Sequence, residues 1–419
     1  MSSLLPSSPL IVYAVVALVM GGVLLRPFGW PEAMWAVAGA ILLVAMGLVS
    51  PHGAAQAVAQ GYDVYLFLLG MMMLSELARR EGLFDVLAAH CVRHARGSGR
   101  RLFAWVYGVG VLVTTFMSND ATAVVLTPAV LAVARSAKAR PFPYLVACAM
   151  VANAASFALP ISNPANLVVF GDSPPPLLDW LRRFVLPSLA SIVATWAVLA
   201  FMFRKELAQG VTAEVSFPAF SASARWSAAA LLATAACLLA ASALGWPLGA
   251  PTFGVGLVAC AVVLLRKREA PWALLKHVSW SVLPLVAGLF VLVAALQHAG
   301  AVEVLSHGLQ KAQDVSPVWA ALGAGAVVAV ACNLVNNLPA GLLVRALVTG
   351  AAIHPLVRDA LALGVDVGPN LSVTGSLATI LWLTAMRREG EEVSGWAFLR
   401  VGAVAMPVAL AVALIVIVA

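Results

Sequence analysis

Asp366-Val367-Gly368-Pro369-Asn370-Leu371-Ser372-Val373-Thr374-Gly375-Ser376 interrupts an otherwise apolar run at 355–386. A helix does not pass through it undisturbed. Pro369 has no N–H and crowds the preceding turn, and Gly368 and Gly375 permit a non-helical backbone. The stretch reads as a break in the middle of a membrane helix. A second break, Ser162-Asn163-Pro164-Ala165-Asn166, lies inside the apolar run 144–170. Two further regions read as limbs around a polar tip. The first is 102–135, with Ser118-Asn119-Asp120 at the tip and Thr122 after it; the second is 317–350, with Asn333 and then Asn336-Asn337-Leu338-Pro339. Limbs of roughly 16 residues at 1.5 Å rise fall short of a 30 Å hydrocarbon core. They are expected to be re-entrant hairpins, which persist only where the backbone is buried in protein or lines a cavity.

Outward from these breaks, apolar runs of span length fall near 9–25, 31–49, 63–79, 144–170 and 183–203, then near 226–245, 250–265, 281–299, 355–386 and 396–418. The expected fold is an all-α polytopic membrane protein of ten transmembrane helices plus two re-entrant hairpins, two of the ten being discontinuous. Composition agrees. Of 419 residues, 62% are hydrophobic and only 10% charged, against about 25% charged in soluble domains. That excludes a water-soluble enzyme, a disordered chain and a nucleic-acid binder. The long continuous runs are unlike the alternating segments of a β-barrel. Met1 to Pro9 holds no Lys or Arg, so the first run is expected to stay as a span rather than leave as a signal peptide. The five cysteines are scattered without a CxxC pair and read as small apolar residues, not a thiolate trap. No Walker A pattern is present, so the chain itself is not expected to hydrolyse ATP. No metal or cofactor constellation is read, and the seven histidines fall outside the core of every expected span.

The chain also repeats. Gly29-Trp30-Pro31 recurs as Gly245-Trp246-Pro247, 216 positions on; Gly70, Gly82 and Asn119 recur as Gly288, Gly300 and Asn337, 218 positions on. Five crossings plus a hairpin make an odd unit, so its copy is inverted. Inverted repeats with broken helices are a secondary-transporter signature. The expected organisation is a first repeat at 1–203, a linker at 204–225 and a second repeat at 226–419. Following this topology, only Arg182, Arg183, Lys311, Arg345 and Arg358 lie on the side of the termini, and the other 20 of the 25 Lys and Arg lie opposite. The basic side is the cytoplasm, which places both termini in the periplasm and the linker in the cytoplasm. The formal charge of +7 is then an orientation signal. The stretches 80–96 and 301–314 read as interfacial amphipathic helices.

Polar groups inside an apolar transporter mark its pathway by default, although single Ser, Thr or Asn residues also serve as helix glue. The candidate substrate-binding residues are Ser118, Asn119, Asp120, Ser162, Asn163, Asn166, Asn336, Asn337, Asn370, Ser372 and Thr374. Asp120 and Asp366 are the candidates for carrying protons. Glu76 is expected to pair with Arg79 or Arg80 at helical spacing. Arg345 is expected to meet a carboxylate or snorkel to the surface. Amides and hydroxyls supply neutral donors and acceptors together, and helix starts add a positive dipole end.

At these clusters the sequence resembles the arsenical pump membrane protein family, the arsenite-efflux permeases of an ion-transporter superfamily. The resemblance covers roughly residues 10–415. It rests on Asn119-Asp120 through Pro128, Ser162-Asn163 with Asn166, Asn336-Asn337-Leu338-Pro339, and Asp366-Val367-Gly368-Pro369 followed by Gly375-Ser376-Leu377-Ala378-Thr379. Some members carry a lysine where this chain has Asn370. The resemblance implies secondary active efflux of arsenite and antimonite across the bacterial inner membrane, coupled to protons or assisted by a cytoplasmic arsenite-stimulated ATPase. A sodium/proton or silicate antiporter and the membrane subunit of an ATP-driven pump are the alternatives. Arsenite is a neutral trihydroxide at neutral pH. A cup of Asn, Ser and Thr suits it, whereas a fixed thiolate cage would hold it too tightly for turnover.

Overall fold

The computed structural model describes residues 9–171, 174–212, 222–350, 352–391 and 393–419. Residues 213–221 of the expected linker lie outside the described residues. The apolar runs wind into helices α1 (Pro9–Leu25), α2 (Glu32–Ala45), α3 (Pro51–Ala59), α4 (Tyr62–Arg80), α5 (Leu83–Ala95) and α6 (Gly99–Phe116). After the tip and a π turn at Thr122–Leu126 come α7 (Thr127–Ser136), α8 (Phe142–Ala154), α9 (Pro164–Phe170) and α10 (Leu177–Met202). Then follow α11 (Ala222–Ala243), α12 (Gly249–Lys267), α13 (Val282–His298), α14 (Ala301–Val315), α15 (Pro317–Val335) and α16 (Asn337–Gly350). The chain closes with α17 (Pro355–Val367), α18 (Leu377–Arg388) and α19 (Gly395–Val418).

Local chemistry sets many of these boundaries. The hydroxyls of Ser50, Ser98, Ser316 and Ser394 accept the N–H three residues on, satisfying helix-start donors. Pro51, Pro164, Pro317 and Pro355 open their helices, where a missing N–H costs nothing. Pro128 cannot bond the carbonyl four residues back, and the turn just before it is a π turn, a common accommodation of a broken ladder.

Among the described residues, five helices are long and apolar enough to cross a membrane alone: Leu177–Met202, Arg225–Ala243, Gly249–Lys267, Pro317–Val335 and Gly395–Val418. Counting the bent pairs α3–α4 (48°) and α13–α14 (70°) gives up to seven. Other expected spans are built from shorter helices, including α1, α2 and α8. The first limbs of the two tip regions are longer than expected, 18 residues in α6 and 19 in α15. Their serine N-caps lie before the apolar run begins. The second limb of the first region is also helical throughout, 18 residues from Asn119 to Ser136 with the π turn inside it, and that of the second region is 14 residues in α16.

The packing crosses from one half of the chain to the other. α4 packs on α12, α13 on α2, and α10 on α19. Within the halves, α6 packs on α8 and α15 on α17. α9 meets α16, and α18 meets the π turn and α7. Gly70 of α4 lies against the backbone of Thr252 and Phe253, and Gly288 of α13 lies against the backbone of Ala36. These two glycines let the crossing helices approach backbone to backbone, the small-residue device of membrane interfaces. Gly82 and Gly300 both take positive φ, 73° and 79°, and precede α5 and α14. The start of the linker is tied down by Val211 N–H to Gly97 O (3.0 Å) and Thr212 N–H to Ala137 O (2.8 Å).

A Cβ at either crossing glycine meets backbone that has no way to move aside. Gly70→Ala and Gly288→Ala should each destabilise the protein by about 1–3 kcal/mol through overpacking. Gly254→Ala and Gly323→Ala, where a Cβ meets open space, should leave stability unchanged or slightly raised. Thermal melting of the purified variants in detergent checks both.

Candidate functional site

Each polar tip begins with a residue held in a backbone region that L side chains rarely adopt. Ser118 has φ 147° and Asn336 has φ 73° with ψ 155°. Such a conformation costs about 1–3 kcal/mol and clusters at functional sites. Both residues also cap the helical turn that follows. Ser118 Oγ accepts Ala121 N–H at 3.4 Å, and Asn336 Oδ1 accepts Leu338 N–H at 3.3 Å. The broken helices restart in the same manner. Asn163 Oδ1 accepts Ala165 N–H at 3.0 Å, and Ser376 and Thr379 form a reciprocal capping box.

These four helix starts converge. A small cavity of about 10 Å3 is lined by Asn119, Asp120, Asn163, Pro164, Asn337, Leu338, Leu377, Ala378 and Leu68. Asn119 and Asn337 are each 2% exposed, and the Oδ1 of each has no hydrogen-bond partner. Unpaired buried carbonyls of this kind carry a desolvation cost, and both residues line the one cavity. Asp120 is half-buried and also lines an adjoining cavity of about 70 Å3.

Behind this space lies a buried network. Asp366 Oδ1 accepts Asn163 Nδ2 at 2.6 Å and sits 2.7 Å from Ser156 Oγ. Asp366 Oδ2 has no partner. Asn153 Nδ2 donates to Asn370 Oδ1 at 3.1 Å, and Asn370 Nδ2 donates to Met150 O at 3.0 Å. These bonds join the two broken helices. A second network closes the loop after Pro369. Asn333 Oδ1 accepts Ser372 N–H (3.0 Å) and Ser372 Oγ (2.8 Å), Thr374 Oγ1 donates to Asn333 O (3.0 Å), and Asn336 Nδ2 donates to Thr374 O (3.3 Å).

Of the residues singled out in the sequence, the structure brings Asn119, Asp120, Asn163 and Asn337 to one cavity and Ser118 to the adjoining one. It directs the others elsewhere. Ser162 Oγ bonds Thr115 O and Leu159 N–H, and Asn166 Nδ2 bonds Ser156 O. Asn370 is engaged by Asn153 and Met150, Ser372 and Thr374 by Asn333, and Asn336 by Thr374 and Leu338. Asn153 and Ser156 were missed by sequence reasoning. An amide in the middle of the apolar run Met150-Val151-Ala152 was the available signal. Glu76 pairs with Arg79 at 2.6 and 2.8 Å. The Arg345 guanidinium packs over Gly171.

An all-helical chain whose helix starts meet at a small polar cavity is built as a secondary transporter rather than an enzyme, and comparison with known proteins agrees. The chain belongs to the family described as CitMHS, citrate transporter, whose model matches residues 15–367. It is 26% identical over 408 residues to the arsenical pump membrane protein of Escherichia coli (strain K12), covering 93% of this chain and 94% of that one. It is 27% identical over 348 residues to the arsenical pump membrane protein of Yersinia enterocolitica, covering 80% and 81%. Its fold is similar to that of the Alcanivorax borkumensis YdaH transporter, with TM-score 0.57, 16% identity and 98% of both chains covered. It is also similar to Neisseria gonorrhoeae MtrF, with TM-score 0.53, 13% identity and 99% and 96% covered. The chain is a multi-pass membrane transporter.

The Asn153–Asn370 bond predicts a measurable coupling. Asn153→Ala and Asn370→Ala should each lower the melting temperature. The double variant should lose less than their sum, by about 0.5–3 kcal/mol. Purely additive losses in a double-mutant cycle would show that the bond carries nothing. At the strained tip, Asn336→Gly should melt higher than Asn336→Ala by about 1 kcal/mol, because glycine accepts the φ that alanine resists.

Proposed function

We propose that this chain is a proton-coupled exporter of arsenite and antimonite in the inner membrane, working by alternating access between two inverted repeats. The observation that carries the substrate reading is the composition of the two joined cavities. Asn119, Asn163 and Asn337 offer amides, Ser118 offers a hydroxyl, and among the described lining residues there is neither Lys nor Arg. A neutral trihydroxide makes hydrogen bonds to such groups without an unmatched charge. A tricarboxylate, the substrate in the family description, carries charges that would need cationic partners. The relatives named as arsenical pumps point the same way.

Asp120 is the proton carrier in this reading. It stands at the cavity wall, half-buried, where it can meet both solute and water. Asp366 is a second candidate. It lies among Ser156, Asn163 and Asn153 and has no Lys or Arg partner among the described residues. A change of charge there would be felt by Asn163, and so by the cavity wall. The exchanged packing of α4 on α12 and α13 on α2, with Gly70 and Gly288 at the two crossings, supports the inverted repeat. The breaks at Ser118 and Asn336, between limbs of 14 to 19 residues, support re-entrant hairpins at 102–135 and 317–350. With ten crossings both termini face the periplasm. The hairpins and broken helices would move against the scaffold of crossing helices to expose the site to either side in turn.

Inverted vesicles given an acidic lumen should take up arsenite without ATP. Asp120→Asn should cut the gradient-driven part roughly tenfold or more. Uptake that requires ATP and a separate ATPase would sink the antiport reading, and full gradient-driven uptake in Asp120→Asn would sink the role of that residue. A large excess of citrate should leave arsenite uptake unchanged; strong competition would favour the tricarboxylate instead.

A further inference from the structure

The larger cavity extends well beyond the meeting point of the helix starts. It runs from Asp120 and Ser118 past Ser75 and Ser279 to Glu76 and His277. Asp120 is half-buried, Ser279 is half-buried and His277 is exposed, so the cavity leads from the junction of the broken elements to the surface. The rim is held by charge. Glu76 is gripped by both ends of the Arg79 guanidinium. Just beyond, Arg80 pairs with Glu269 and Lys267 Nζ bonds Glu81 Oε1 at 2.7 Å. These pairs fasten the end of α4 to the end of α12, so the mouth is bounded by tied helix ends on that side. Part of the lining is apolar and comes from the π turn, through Val124 and Val125. The cavity is therefore lined both by α4 and by the tip region.

We propose that this cavity is the entry vestibule through which a small neutral polyhydroxy solute reaches Asp120, opening on the face that carries Arg79, Arg93 and Lys276, with the Ser75 and Ser279 hydroxyls along the path. The solute class rests on the function proposed above; the route rests on the geometry of the cavity. Hydroxyls spaced between exposed His277 and Asp120 give such a solute hydrogen-bonding partners in sequence as it sheds water. None of Ser75, Glu76, His277 and Ser279 stood out in the sequence as a pathway residue.

Cysteine accessibility tests the route without depending on the substrate. Cys91, Cys148, Cys260 and Cys332 are buried and Cys237 is half-buried, so Cys237→Ala supplies a quiet background. Arg93→Cys, exposed on α5, reports which face is which. His277→Cys and Ser279→Cys, at exposed and half-buried positions along the cavity, should react with a membrane-impermeant maleimide from the face that labels Arg93→Cys, about tenfold or more faster than from the other face. Modification should then block arsenite uptake. Labelling from the opposite face, labelling from neither face while Arg93→Cys reacts, or normal uptake after modification would each overturn the vestibule. If Arg93→Cys labels from the periplasmic side, the orientation proposed above fails, while the shared face of the three positions still decides the vestibule. If modification occurs as expected but arsenite is not a substrate of the unmodified protein, the fault lies with the substrate reading.

Discussion

Backbone amides and carbonyls cannot be left bare in a medium without water, and this protein breaks its helices in the middle of such a medium. The rest of the structure follows from how those breaks are satisfied. Ser118 and Asn336 take a backbone conformation that side chains resist, then cap the turns that follow. Asn163 and Ser376 cap the two restarted helices. Asn333 spans the break, its Nδ2 donating to Gly368 O and its Oδ1 accepting from Ser372 N–H. Each break is therefore capped by a side chain at its own restart, and the longest one, after Pro369, is also held by Asn333 from another helix.

The same arrangement produces the site. A helix that stops and restarts presents a fresh N-terminus, and four of them open onto one small space. Their amide side chains are partly consumed in capping, but Asn119 and Asn337, which line it, each keep an unpaired carbonyl. A site made in this way is polar, with neither Lys nor Arg among its described lining residues. Asp366 stands just behind it, joined through Asn163, so the wall of the cavity and a buried carboxylate share one hydrogen bond.

Much of this was legible in the residues. Pro164 and Pro369 announced the broken helices, and the polar tips at 118–120 and 336–339 announced two more breaks. Both follow from local rules: proline lacks a donor, and polar residues are costly in an apolar run. Gly82 and Gly300, legible as a repeat, stand just before the starts of α5 and α14. Less legible was the division of labour among the polar residues. Asn370, in the most marked motif of the chain, turns to Asn153 and Met150 rather than to the cavity. Asn153 and Ser156 carry the other side of that network although no motif surrounds them. Hydrogen-bond partners more than 200 positions away leave no local trace.

The sequence by itself determined an all-helical membrane protein with interrupted helices, because hydropathy, proline and glycine act within a few residues of where they stand. It also determined which residues were candidates, since few polar groups occur inside the apolar runs. Only the tertiary structure decided which of them share a space. Asn119, Asp120, Asn163 and Asn337 come from three separate regions of the chain, and the packing of α9 on α16 and of α18 on the turns after Ser118 brings those regions together. Close approach at Gly70 and Gly288 depends on which helix lies opposite, and that is a property of the whole packing rather than of any segment.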